Sequence, residues 1–168
     1  GELAIPKIVK TAQSFTDVDM IIVSCADDPG VAEIRKVLPD IPVTGGGETT
    51  VALALKYGSK IGVLGITDYA PQAYRRMIPD QMILGRPEGV HSTLDLMTPE
   101  GKESVLKLGL KLKEQGAEVI ALACTGLATI GIAKDLENET GLPVIDRLWQ
   151  KDCSLISNIS EKNNNTSS

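Results

Sequence analysis

The chain is poor in aromatic residues, histidine and cysteine, and each scarcity removes options. Phe, Trp and Tyr make up 3% of its 168 residues while apolar residues reach 42%, so the core must be aliphatic. The single histidine, His91, lies in RPEGVHSTLDL, far in sequence from every cysteine. That separation argues against a cysteine hydrolase with a histidine base, and an exposed loop residue is the simpler reading of His91. Three cysteines are an odd number without CxxC spacing, so neither a disulfide framework nor a zinc site is indicated. Positive charge is also short: 17 Lys and Arg against 22 Asp and Glu leave a net charge of −5. This argues against nucleic-acid or anionic-membrane partners. No apolar run approaches the ~18 residues of a membrane span, and no basic-then-apolar leader is visible. The expectation is a reduced, cytoplasmic, globular protein.

What is present is alternation. Short aliphatic runs bounded by turn residues mark strands at 19–25, 42–44, 60–66, 82–85, 118–124 and 143–146. Several are apolar almost throughout, as strands covered on both faces of a parallel sheet should be. Helical patterns lie between them. VAEIRKVL follows Cys25, and ETTVALALKYG ends at Gly58. TPEGKESVLKLGLKLKEQG opens with Thr98 as N-cap and Pro99 at the first helical position, and closes on Gly116. Strand alternating with helix at this spacing predicts α/β architecture with parallel sheets.

The two halves resemble each other. DMIIVSCADDPG and EVIALACTGLAT lie 99 residues apart, and each runs from an acidic residue through an apolar strand to a cysteine, Cys25 or Cys124. Pro42 follows its cysteine by 17 residues and Pro143 by 19, each ahead of another short strand. The pattern is a twofold repeat of strand, cysteine, helix, strand, helix. Two such lobes facing each other bring both strand C-termini to one cleft, where open α/β sheets bind ligands.

A lone cysteine in apolar surroundings is most often a small core residue, and Cys153 takes that reading. Cys25 and Cys124 differ because both end a strand where a helix is expected to begin, a place that favours an anion. Core packing supplies no reason for a thiol to recur at one point of both halves. A thiolate on one face of a carbon and a thiol on the other can invert a stereocentre: one removes the Cα proton and the other returns one. The enolate formed needs hydrogen-bond donors, which strand-to-helix loops supply. Ala26, Asp27, Thr125 and Gly126, beside the thiols, are small or hydrogen-bonding and are candidate substrate contacts.

Taken together, DMIIVSCADDPGVAEIRKVLPDIPVTGGGETT, GAEVIALACTGLA and GLPVID resemble the aspartate/glutamate/hydantoin racemase superfamily, most of all its hydantoin racemase branch. The resemblance implies a cofactor-independent racemase of two similar α/β lobes with the active site between them, Cys25 and Cys124 being the acid/base pair. Members acting on free aspartate or glutamate resemble Cys-Asn-Thr at the first site and Cys-Thr-His at the second. Here Ala26-Asp27 follows Cys25 and Gly126 follows Thr125, which points toward a 5-substituted hydantoin or an allantoin-like ring. An amino-acid racemase and a non-catalytic two-lobed binding protein are the alternatives. The family opens with a further strand–helix–strand unit absent here, so the first lobe is expected to be N-terminally incomplete.

The expected organisation is a partial first lobe over 1–57, completed by a helix at 147–157, a second lobe over 58–146, and a disordered tail at 158–168. GGGETT at 45–50 matches neither a dinucleotide fingerprint nor a P-loop and reads as a strand-to-helix turn. Asp27 and Asp28 lack His or Cys neighbours at ligand spacing, so no metal is expected and both are assigned to capping the helix near Pro29. Asp146 is either a cap or a wall of the site. The partner is a small-molecule substrate, and a homo-oligomer is compatible with the sequence.

Overall fold

The computed structural model describes residues 4–15 and 17–146. The segment 147–157, Cys153 within it, and the tail 158–168 lie outside the described residues. The order of elements is α1 (Ile5–Gln13), β1 (Ile21–Val23), α2 (Val31–Val37), β2 (Val43–Gly45), α3 (Gly46–Ala54), β3 (Ile61–Leu64) and α4 (Gln72–Met77). Then follow β4 (Met82–Gly85), α5 (Pro99–Glu114), β5 (Val119–Leu122), α6 (Thr125–Thr129), α7 (Ala133–Thr140) and β6 (Val144–Ile145). Each expected strand forms: β4 matches its run, β2 is shifted by one residue, and the other four are shorter than expected. Among the described residues they make two parallel sheets, β1-β2 and β4-β3-β5-β6.

The larger sheet is covered on both faces, which is why β3 and β5 are apolar without interruption and fully buried. Side chains alternate across a strand. Leu64, Ile120, Leu122 and Val144 therefore join the core beneath α5 and α7 with Val105, Leu112 and Leu136. Ile61, Val63, Val119, Ala121 and Ile145 enter the opposite core with Ala73 and Tyr74 of α4. Among the described residues Phe15, Tyr57 and Tyr69 are exposed as an aliphatic core requires, and the exception is Tyr74, fully buried in the core. The smaller sheet packs Ile21 and Val43 with Ala12 of α1 and Val31 and Ile34 of α2.

Helix boundaries follow local chemistry. Thr98 Oγ1 accepts from Gly101 N at 3.0 Å and caps α5, with Pro99 at its first position, as the sequence predicts. α3 ends at Ala54, before Gly58. It follows β2 in the chain, yet Val51 and Ala54 are fully buried in the core of the larger sheet. α3 is therefore the seam between the two sheets.

Candidate active site

Cys25 lies two residues past the end of β1, half-buried, in a turn rather than at the head of a helix. Its N–H donates to Val23 O at 2.8 Å and its carbonyl accepts from Asp28 N at 3.2 Å. α2 starts only at Val31, behind Gly30 with φ of 79°. The expected helix N-terminus beside Cys25 is therefore absent, because Pro29 and left-handed Gly30 delay the helix.

The two aspartates also depart from expectation. Neither caps α2. The Asp28 carboxylate accepts from Gly47 N and Glu48 N, both at 2.7 Å, and so caps α3. Asp27 is exposed, and its Oδ1 accepts from Gln72 N at 3.2 Å, the first residue of α4. A carboxylate at a helix start is favoured by unpaired N–H groups, whichever helix the fold presents. Burial, reinforced by the charge of Glu48, pushes the Asp28 carboxyl above its ordinary value, against the pull of its two N–H donors. Ala26 is buried, its carbonyl oxygen against the α-carbon of Gly47.

Glu48 ties three helices together. Its carboxylate takes the Arg35 guanidinium of α2 on Oε1 and that of Arg76 of α4, at 3.3 Å, on Oε2. Thr44 Oγ1 and Gly45 N also donate to Oε1, at 3.1 and 3.2 Å. Burial opposes ionisation here, but the Arg35, Gly45 and Thr44 donors outweigh it and hold Glu48 below the usual carboxylate range.

Cys124 lies two residues past β5, half-buried, and is the N-cap residue of α6, so the helix start expected there is present. Thr125 and Gly126 are its first two residues. A β-carbon on Gly126 would come within 2.9 Å of Thr93 Cγ2 and 3.1 Å of Leu96 Cδ1, so the segment between β4 and α5 rests directly on this turn.

That segment was not singled out from the sequence, and it is strongly braced. Asp95 Oδ2 accepts from His91 N, Ser92 N and Ser92 Oγ at 2.8–3.0 Å. These donors lower the Asp95 pKa. Arg86 donates to Val90 O through Nε and Nη2 at 3.2 Å, and to Asp68 Oδ1 at 2.7 Å. Its Nη2 lies 2.8 Å from His91 Nδ1, which must accept because a guanidinium only donates. His91 is exposed, as expected, but it is a strut of the loop. The signal that could have revealed the brace is Ser92-x-x-Asp95, a capping-box pattern ahead of the 3₁₀ turn at Asp95–Met97.

The two cysteine turns are joined through β3. The Cys25 turn meets the start of α4, which follows β3, and β3 pairs with β5 in register Leu64↔Leu122. Each thiol thus follows the carboxyl end of a parallel strand, one in each sheet. An open depression lined by Glu88, Glu100, Glu103 and Lys107 includes no candidate site residue. Among the described residues no group of His, Cys, Asp and Glu is arranged to hold a metal ion, and no helix is long and apolar enough to cross a membrane.

Residues 1–149 match the model of the Asp/Glu/Hydantoin racemase family. The chain belongs to that family. It is 25% identical over 152 residues to the hydantoin racemase of Paenarthrobacter aurescens, covering 82% of this chain and 60% of that protein. It is 27% identical over 143 residues to the hydantoin racemase of Rhizobium meliloti, covering 77% and 55%. The chain therefore spans somewhat over half the length of these curated relatives. The crystal structure of allantoin racemase from Pseudomonas fluorescens shares the fold, with a TM-score of 0.71 at 23% identity over 86% of this chain and 64% of that one. The α/β fold with parallel sheets is the fold of this family member.

Proposed function

We propose that this chain carries the paired thiols of a cofactor-independent racemase acting on a 5-substituted hydantoin or an allantoin-like ring. The observation that carries the reading is the placement of Cys25 and Cys124, each just past the carboxyl end of a parallel strand in a different sheet. Family membership and the similarity to two hydantoin racemases support the reaction class and substrate.

In this mechanism one cysteine, as thiolate, removes the proton from the ring carbon that bears the side group. The electrons pass into the flanking carbonyl, giving an enolate, and the other cysteine delivers a proton to the opposite face. The first thiol ends protonated and the second ends as thiolate, so the pair is ready for the reverse reaction. The carbonyl acidifies this C–H, leaving less for the protein to supply. Backbone N–H groups in the first turn of α6 are suited to hold the enolate oxygen; the room that Gly126 leaves is taken by Thr93 and Leu96. Asp27 and Ala26 serve the same site by holding the Cys25 turn.

The reading includes a division into 1–57 with 147–157 as one lobe and 58–146 as the other, with the cleft at their shared α3 seam. It also includes a reducing, cytoplasmic setting, since both thiols must stay free. The test is a racemisation assay in heavy water over hydantoins, allantoin, aspartate and glutamate. Deuterium at the inverted carbon of a hydantoin is the expected result. Inversion that retains protium overturns the two-base scheme, turnover of aspartate or glutamate alone overturns the substrate, and ligand binding without inversion at any substrate favours a binding protein.

A further inference from the structure

We propose that Asp28 is a positioning residue whose carboxylate plugs a glycine-lined socket at the start of α3 and thereby fixes the turn that bears Cys25. The functional part of this inference rests on the assignment of Cys25 as an acid/base group; the plug and socket do not.

The socket is made by what Gly45 and Gly47 lack. A β-carbon on Gly45 would lie 2.1 Å from Asp28 Oδ1 and 2.2 Å from its Cγ, so any side chain at 45 occupies the carboxylate's place. A β-carbon on Gly47 would lie 2.2 Å from Ala26 O and 2.9 Å from Asp28 Oδ2. The glycines of GGGETT thus make room for the cysteine turn itself. Into that room Asp28 brings two 2.7 Å hydrogen bonds from Gly47 N and Glu48 N. Bonds from N–H to an ionised acceptor are about twice as strong as neutral ones.

The turn is built to reach the socket. Asp28 has φ of 50°, the one non-glycine residue in the left-handed region among the described residues. Asp tolerates that region better than most residues, yet it still carries local strain, which the two bonds offset. Asp28 N donates to Cys25 O, and Asp28 O accepts from Val31 N at 3.3 Å. The plug is thus bonded directly to the backbone of Cys25. Asp27, clamped to Gln72 N, holds the same turn from the side of the larger sheet.

A base must meet its proton within narrow limits, and a displacement of ~1 Å can reduce turnover by ~10²-fold. Asp28 holds the backbone of Cys25 against such drift, with its carboxylate bonded to the start of α3.

Alkylation by iodoacetamide, followed separately on the Cys25 and Cys124 peptides by mass spectrometry, tests this without requiring turnover. In Asp28→Gly the Cys25 rate is expected to rise about threefold or more as the turn opens, while Cys124 stays unchanged. Gly45→Ala should do the same by expelling the carboxylate. Asp28→Gly/Gly45→Ala should match either single variant, because the side chain that the new methyl would displace is already gone. Should Gly45→Ala fail to fold, Asp28→Asn replaces it: it keeps one acceptor and sets an amide N–H₂ against a donor, so a smaller rise is expected. Equal acceleration of both cysteines, or effects that multiply in the double variant, would overturn the plug. In the active protein the Asp28 variants should lose kcat about tenfold or more with KM little changed. An inactive wild type would sink the proposed reaction and leave the alkylation result standing.

Discussion

The methyl of Thr93 lies against the α-carbon of Gly126, two residues past Cys124, and closes the space a β-carbon would need. The contact joins the braced loop after β4 to the helix turn that follows the second thiol.

Gly126→Ala tests it. Alanine in place of glycine favours a helix by up to ~1 kcal/mol, while forcing Thr93 and Leu96 aside costs about 1–3 kcal/mol. The cost exceeds the gain by about 1 kcal/mol, so the melting temperature should fall by a few degrees. Turnover should fall further, because the shift is centred beside Cys124. Adding Thr93→Ser, which removes the clashing methyl, should recover part of it. Unchanged turnover in Gly126→Ala would show that this wall does not shape the site.

The cysteines separate by substitution. Cys25→Ser and Cys124→Ser should each lower racemisation by ~10²–10⁴-fold with the fold intact, since a hydroxyl is a poor base at neutral pH. A single variant should still exchange the proton of one enantiomer with solvent through the surviving thiol, without inverting it. Cys153→Ser should keep near-normal turnover. Loss of activity in Cys153→Ser alone, measured by polarimetry, would reverse the assignment.

Arg86→Lys should loosen the segment from Val90 to Asp95. Arginine reaches Val90 O, Asp68 and His91 together, and a lysine ammonium on an unforked stem cannot. Losing these bonds is worth about 1–2 kcal/mol locally, which hydrogen exchange at the His91 and Ser92 amides would report as roughly tenfold faster. Unchanged protection would mean that Asp95 alone holds the loop.

Glu48 sets a pH dependence. Its folded pKa lies below the 4.5 of a free glutamate, so the unfolded chain takes up this proton first as pH falls. Its contribution is therefore complete above the unfolded value and is lost as pH falls through the folded value. Glu48→Gln should be less stable than wild type by about 1–2 kcal/mol near neutrality, a range tempered by the exposure of Arg35 and Arg76. The gap should close as pH falls from 4.5 through the lower folded value. Urea titrations from neutral to acid pH would measure it, and a gap that persists in acid would mean that packing, not charge, explains the loss.

Much of this protein is written locally. The aliphatic runs of β3 and β5 are unbroken because both their faces are buried, and Thr98-Pro99 began a helix because a cap and its N–H lie three residues apart. The two thiols were legible because both end an aliphatic run.

Tertiary structure decided the partners. Asp28 is adjacent to Pro29 in sequence, yet its carboxylate binds N–H groups 19 and 20 residues away, and that of Asp27 binds one 45 residues away. Glu118 likewise holds Ser59 and Lys60 across 59 and 58 residues. Every helix start offers similar unpaired N–H groups, so a carboxylate beside one helix carries no mark of which it will cap. Only the docking of α3 and α4 against the larger sheet set two other N-termini beside the Cys25 turn. The same docking explains why GGGETT needs its glycines: the atoms they make room for belong to a distant turn.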